Sequence, residues 1–317
     1  MEIKVAKHAG FCFGVKKAIE IAEEVAQSNK EKTYVLGQLV HNEKVIKNLE
    51  DKGIIFVENI NEIPQNAVTV LRAHGEPGAT YNILEEKSIV KGKNLNDATC
   101  PLVTLVHNVA IKLKNNGYEI VIFGKHNHPE AIGTSYYIKG KDTFIVEHPE
   151  DSDLVIDYIR KNNFEKVAII SQTTMSVYGY KKLVEDINSK MADEKFEEIP
   201  LSLKDLNKKY GFVDTICNPT KQRQSDTDEL AKECDIVIVI GGKNSSNSKE
   251  LHTKALEYGV ESYFIQSAEQ LQKEWFDGKE KIGVTAGAST PDYLIDEVVE
   301  RIKEIANVEI PNTTIKI

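Results

Sequence analysis

The stretch Ile236-Val237-Ile238-Val239-Ile240-Gly241-Gly242-Lys243-Asn244-Ser245-Ser246-Asn247-Ser248 decides the fold. Its unbroken β-branched run has no polar alternation, so the strand it predicts is buried on both faces, as in a parallel sheet covered by helices. Two glycines then break the strand, and Ser and Asn follow where a helix N-cap is expected. A strand that ends in glycine and feeds a helix is half of a parallel α/β unit.

Working outward, Tyr34-Val35-Leu36, Val68-Thr69-Val70-Leu71, Ile120-Val121-Ile122-Phe123, Val167-Ala168-Ile169-Ile170 and Ile282-Gly283-Val284 read as further buried strands. Between them apolar residues recur at helical spacing: Val15, Ala18, Ile19, Ala22, Val25 and Ala26; Val103, Val106, Val109, Ala110 and Leu113; Leu294, Ile295, Val298, Val299 and Ile302.

The pattern keeps one register three times. Cys12, Cys100 and Cys217 each stand at a break before a helical stretch, and Gly37, Gly124 and Gly241 close a strand 25, 24 and 24 residues later. Four residues on sit His41, His128 and Ser245. A third strand then ends in Arg72-Ala73-His74-Gly75, Ser171-Gln172-Thr173-Thr174 and Thr285-Ala286-Gly287-Ala288-Ser289. The repeat predicts three similar α/β units with small, mainly parallel sheets, spanning 1–98, 99–205 and 206–317, set pseudo-threefold around a central cavity. Strand ends and helix N-termini facing that cavity would gather three thiols and a ring of neutral donors. The charged segment Glu194 to Tyr210 reads as the connection into the third unit.

Composition narrows the function. With 41% hydrophobic and 28% charged residues in 317, the chain has the profile of a soluble globular protein. A net charge of -9 argues against nucleic acid as a partner. The longest aliphatic run, Ile236 to Ile240, falls far short of the roughly 20 apolar residues of a membrane span. Glu2, Lys4, Lys7 and His8 interrupt the place of a signal peptide, so a cytoplasmic protein with reduced cysteines is expected. Four cysteines without a CxxC pair fit neither a disulfide framework nor a zinc ribbon.

Three soft thiolates converging from distant positions suit an iron-sulfur cluster or a catalytic zinc, with a coordination position left open; the plainer reading is three small buried side chains. Cys234 matches no repeat position and reads as a structural thiol. In Gly124-Lys125-His126-Asn127-His128-Pro129-Glu130 an imidazole and a carboxyl meet at a strand-to-helix junction, a place for a general acid or for a helix-dipole partner. The hydroxyls, amide and backbone N–H groups of Gly241 to Ser248 can receive phosphate oxygens without the P-loop pattern, and Thr285 to Pro291 form a similar site; both also read as ordinary capped helix starts. His41 and His74, at strand ends, could donate to an anion, whereas His8, His107, His126, His148 and His252 have no repeat-supported role.

These residues resemble a known family. His8-Ala9-Gly10-Phe11-Cys12-Phe13-Gly14-Val15, Leu39-Val40-His41-Asn42, Ala73-His74-Gly75, Asp97-Ala98-Thr99-Cys100-Pro101-Leu102-Val103, His128-Pro129-Glu130, Ser171-Gln172-Thr173-Thr174, Asp214-Thr215-Ile216-Cys217, Lys243 to Ser248 and Thr285 to Ser289 are similar, in order, to segments of the 4-hydroxy-3-methylbut-2-enyl diphosphate reductase (IspH/LytB) family. The resemblance implies the terminal step of the methylerythritol phosphate route to isoprenoids, in which an allylic alcohol diphosphate loses its hydroxyl as water. The products would be isopentenyl and dimethylallyl diphosphate. It implies a 4Fe-4S cluster on Cys12, Cys100 and Cys217 with one open iron, Glu130 as proton donor, and Thr173 beside the hydroxyl. His41, His74, His128, Thr173, Ser245, Ser246, Asn247 and Ser289 would contact substrate, and a ferredoxin or flavodoxin would supply electrons. An iron-sulfur hydro-lyase, a cluster-based redox sensor and a zinc hydrolase are the competing readings.

Overall fold

The computed structural model describes residues 1–191, 194–204, 206–305 and 315–316. The chain begins with β1 (Glu2–Val5), α1 (Phe13–Ser28), β2 (Thr33–Leu36), α2 (Glu43–Asp51), β3 (Ile54–Val57), β4 (Val68–Leu71), α3 (Gly78–Glu86) and β5 (Leu95–Asp97). It continues through α4 (Pro101–Asn115), β6 (Glu119–Phe123), α5 (Pro129–Tyr136), β7 (Phe144–Val146), α6 (Ser152–Asn162), β8 (Val167–Ser171), α7 (Val177–Lys190), β9 (Glu197–Glu198) and β10 (Tyr210–Phe212). Then come α8 (Asn218–Glu233), β11 (Ile236–Ile240), α9 (Ser246–Glu257), β12 (Glu261–Ile265), β13 (Lys281–Ala286), α10 (Asp292–Ile305) and β14 (Ile315–Lys316).

Three small sheets result, with strand orders β3-β2-β4-β5, β7-β6-β8-β10-β9 and β12-β11-β13-β1-β14. Every neighbouring pair is parallel. The α/β class with small parallel sheets is therefore as the sequence implies. The expected boundary at 205 falls on a residue outside the described ones, as does most of the tail after α10.

The continuous aliphatic runs work as two-faced strands. In the second sheet Val121, Phe123, Val167 and Ile169 pack toward a core with Leu183, Val184 and Ile187 of α7, while Ile120, Ile122, Ala168 and Ile170 pack with Val106, Ala110 and Leu113 of α4. The third sheet does the same: Ile236, Ile238 and Ile240 share a core with Val298 and Ile302 of α10, whereas Val237 and Val239 meet Leu230 and Leu251. Alternate residues of a strand point to opposite faces, so a sheet covered twice needs apolar residues at every position.

β1 is the element the periodicity does not announce. Glu2-Ile3-Lys4-Val5 alternates polar and apolar, and it lies between β13 and β14 with Glu2 opposite Lys281 and Val5 opposite Val284. The first strand of the chain thus belongs to the sheet built from its last third.

Two compact units emerge. One comprises Met1–Lys16, Val40–Lys52 and Asn218–Ile317 and contains the third sheet; the other comprises Lys17–Leu39 and Gly53–Cys217 and contains the first two. No helix among the described residues is long and apolar enough to cross a membrane.

Candidate functional site

Each marked cysteine stands immediately before a helix: Cys12 before α1, Cys100 before α4, Cys217 before α8. Each is also anchored by its own backbone. The Cys12 amide donates to the Ala288 carbonyl (3.1 Å), that of Cys100 to Ala73 (2.9 Å), and that of Cys217 to Thr173 (3.2 Å). The acceptors are the third-strand endings of the repeat, next to or at Ser289, His74 and Thr173. All three thiols are half-buried and free of disulfides. The positive end of a helix favours negative charge beside it, and three soft sulfur donors suit iron-sulfur chemistry rather than a hard cation such as magnesium. The residues fit an iron-sulfur cluster.

Cys234 differs. It is buried beneath Gly283, and burial pushes its thiol up to about 11, so it is protonated and inert at neutral pH.

The compact unit of Lys17–Leu39 and Gly53–Cys217 holds four of the expected site residues, His74, His128, Glu130 and Thr173. His128 caps α5, its Nδ1 accepting from the Glu130 amide at 3.2 Å. An accepting Nδ1 leaves the ring proton on Nε2, so that nitrogen is the donor. The His74 and His128 rings meet edge-on with centroids 5.4 Å apart.

Glu130 is 1% exposed, and Thr173 holds it twice: the amide donates to Oε1 at 2.6 Å and the hydroxyl to Oε2 at 2.7 Å. Burial raises this carboxyl from 4.5 to about 7, while the two Thr173 donors oppose the shift. The net displacement disfavours the charged form by about 3 kcal/mol, so desolvation outweighs two hydrogen bonds to the carboxylate. An amide N–H can only donate, so Oε1 must stay an acceptor. The proton of the acid form therefore sits on Oε2, facing a hydroxyl that can reverse from donor to acceptor.

In the other unit stand His41, Ser245, Ser246, Asn247 and Ser289. Ser245 caps α9, its Oγ accepting from the Ser248 amide (3.2 Å) and the Ser248 hydroxyl (2.8 Å), which leaves its own O–H to give. Asn247 Oδ1 accepts from the Ala288 amide at 3.0 Å, which fixes the side-chain amide with Nδ2 as the spare donor. Ser246 Oγ and Asn247 Nδ2 are buried with no hydrogen-bond partner among the described residues. Leaving two such groups unmade costs about 1–3 kcal/mol each, so a polar ligand is the natural occupant.

Ser289 spends its hydroxyl on the His41 carbonyl at 3.0 Å and would have to turn to meet a ligand. That carbonyl would lie 2.3 Å from a Cβ at position 242, so Gly242 is what lets the His41 turn come so close. The spacing places His41 near a helix start, but the cap of α2 is its neighbour Asn42, whose Oδ1 accepts from the Lys44 and Val45 amides. His126, exposed, pairs with Glu147 just past β7 at 2.9 Å. The structure thus brings His74, His128, Glu130, Thr173, Cys100 and Cys217 into one compact unit and Cys12, His41, Ser245, Ser246, Asn247 and Ser289 into the other. Sequence reasoning missed Asn42, although an Asn just before a charged amphipathic stretch is a helix-start signal.

Comparison with known proteins identifies relatives of the whole chain. A family profile described as LytB protein matches residues 3–303. A 4-hydroxy-3-methylbut-2-enyl diphosphate reductase from Nitratiruptor sp. is 41% identical over 306 residues, covering 96% of this chain and 99% of that protein. One from Aquifex aeolicus is 38% identical over 308 residues, covering 96% and 97%. The solved E-1-hydroxy-2-methyl-but-2-enyl-4-diphosphate reductase from Plasmodium falciparum superimposes with a TM-score of 0.81 at 29% identity, covering 95% of this chain and 88% of that one.

Proposed function

The chain belongs to the LytB protein family, and from that membership we propose that it removes the allylic hydroxyl of 4-hydroxy-3-methylbut-2-enyl diphosphate reductively, the terminal step of the non-mevalonate route. It is an oxidoreductase, like its curated relatives. The carbon–oxygen bond breaks, the hydroxyl leaves as water with one proton, and two electrons with a second proton complete the allyl fragment. The proton's destination on that fragment decides between isopentenyl and dimethylallyl diphosphate.

Cys12, Cys100 and Cys217 would hold a 4Fe-4S cluster. When bound, that group supplies the electrons, passed on from a ferredoxin or flavodoxin, and an open iron that acts on the hydroxyl.

The protein's own residues do the rest. Glu130, half-protonated near neutrality, keeps a proton on Oε2 for the departing hydroxyl, and Thr173 holds both oxygens in place. Ser245, Ser246 and Asn247 at the start of α9, with Ser289, His41, His74 and His128, receive the diphosphate and the substrate hydroxyl. Neutral donors at a helix N-terminus suit an anion inside an acidic protein. The observation that carries the diphosphate reading is the pair of buried, unpartnered donors on Ser246 and Asn247.

The test is iron, acid-labile sulfide and dye-coupled reduction of the substrate on protein purified without oxygen. Iron and sulfide in equal amounts, lost together in Cys100→Ser, with viologen oxidised only when substrate is present, are expected. Zinc without sulfide, or water loss without electron uptake, would overturn the assignment in favour of a zinc hydrolase or a hydro-lyase.

A further inference from the structure

Residues 8–12, which lead into Cys12, are gripped from two sides. From the sheet, the Gly10 amide donates to Ala286 (3.4 Å) and the Cys12 amide to Ala288 (3.1 Å), both at the end of β13. From the helix, α8 presents Pro219, Arg223 and Asp226, one face at i, i+4 and i+7. Arg223 donates through Nη2 to the Gly10 carbonyl at 2.5 Å and through Nη1 to the Pro219 carbonyl at 2.8 Å. Asp226 accepts from the His8 amide at 2.7 Å and pairs with His8 Nδ1 at 3.0 Å.

The Arg223 bridge is costly to build. Arg223 is 4% exposed, and an arginine cannot shed its charge on burial. Gly10 adopts φ +95, and a Cβ there would stand 2.8 Å from Asp292 Oδ1, so only glycine turns its carbonyl toward the helix in this way. The two carbonyls joined by one fork lie two residues before Cys12 and two residues after Cys217 in the chain. A lysine keeps the charge but lacks the planar fork that meets the two carbonyls from separate nitrogens.

We infer that Arg223 is a positioning residue for the cluster: its buried fork fixes the loop carrying Cys12 against the start of the helix that follows Cys217. The inference rests on the proposed ligation by Cys12 and Cys217. Outer-shell partners of metal ligands typically change affinity about 10- to 100-fold when removed.

The experiment uses full-length protein purified without oxygen, as wild type, Arg223→Gln and Arg223→Lys. In Arg223→Gln, iron is expected to pass to a chelator about 10- to 100-fold faster. Its reduced-state electron paramagnetic resonance spectrum should shift, and amide exchange should rise in residues 6–14. Arg223→Lys should recover the charge without the bridge and remain closer to Arg223→Gln than to wild type. Wild-type iron release and spectrum in Arg223→Gln would overturn the inference. So would exchange that rises uniformly across the chain, which marks a general loss of stability. If Arg223→Gln does not fold, Asp226→Asn loosens the same segment through His8 and should move the same three readouts. Should Cys12→Ser keep its iron, the ligation reading fails, while exchange at residues 6–14 still decides whether Arg223 holds that loop.

Discussion

Glu130 and Asn247 occupy the same place in two copies of one motif. Each lies two residues after the third mark of the repeat, His128 or Ser245, in the first turn of a helix, and each reaches back to the end of a neighbouring strand. Glu130 takes two donors from Thr173; Asn247 takes one from Ala288. Both are buried. One copy therefore carries a proton, and the other carries a neutral donor. The repeated backbone supplies a buried helix start each time, and on the proposed reading the single side chain decides whether it serves proton transfer or anion binding.

Exchanging the acid for its amide should break this comparison most visibly. Glu130→Gln keeps both Thr173 contacts in shape and removes the proton, so kcat should fall roughly 10²- to 10⁴-fold with KM and iron content little changed. Wild-type turnover would end its role as the acid. The pH profile adds an independent check. The carboxyl is raised to about 7, so turnover should decline as pH rises through that value and lose the decline in Glu130→Gln. The same shift has a stability consequence. Because the folded pKa lies above the ordinary 4.5, the contribution is complete below about 4.5 and is lost as pH rises through about 7, on the order of 3 kcal/mol in all. Urea midpoints for wild type and Glu130→Gln between pH 4 and 9 should diverge in that window, and parallel curves would mean that Glu130 stays ionised throughout.

The reciprocal change is Asn247→Asp. The new carboxylate can keep the Ala288 contact but loses the Nδ2 donor and sets a negative charge where an anion is to bind. KM for the diphosphate should rise about 10- to 100-fold, each factor of ten being 1.4 kcal/mol, while kcat changes far less. A kcat loss without a KM change would move Asn247 out of the diphosphate site and blur the contrast with Glu130.

How much of this contrast could be read beforehand follows from the physics of each part. Ile236 to Ile240 and Val167 to Ile170 were legible because a strand covered on both faces must be apolar at every position. The cysteine register was legible because equal spacing survives in sequence. What the spacing could not reveal is the strand ending on which each cysteine rests. It grouped Cys12 with His41 and His74; Cys12 and His41 do share a compact unit, but the Cys12 amide binds Ala288, because the pairing of Glu2 with Lys281 carries the start of the chain into the last sheet. Long-range register leaves no local trace when the strand is a four-residue alternation. The burial of Glu130 was equally silent, since His-Pro-Glu at a helix start reads the same whether the carboxyl faces water or core. Arg223 was hidden for a similar reason: an arginine within a polar helix signals a solvated face until the helix is placed against Gly10.

The finest test of the contrast lies in Thr173, which distinguishes the acid copy from its neutral counterpart as much as Glu130 does. Thr173→Val preserves shape and the amide contact to Oε1 but deletes the hydroxyl facing Oε2. That hydroxyl opposes the effect of burial, so its loss must raise the carboxyl further. A hydrogen bond to a charged group is worth about 1.5 kcal/mol, close to one pH unit. The alkaline limb of turnover should accordingly move up by about one unit, and kcat on the plateau should fall by about tenfold at most, since the acid itself remains. The direction is the decisive part. A limb that stays in place would show that Thr173 touches Glu130 without tuning it, and a limb that moves down would mean that the hydroxyl stabilises the protonated form more than the carboxylate.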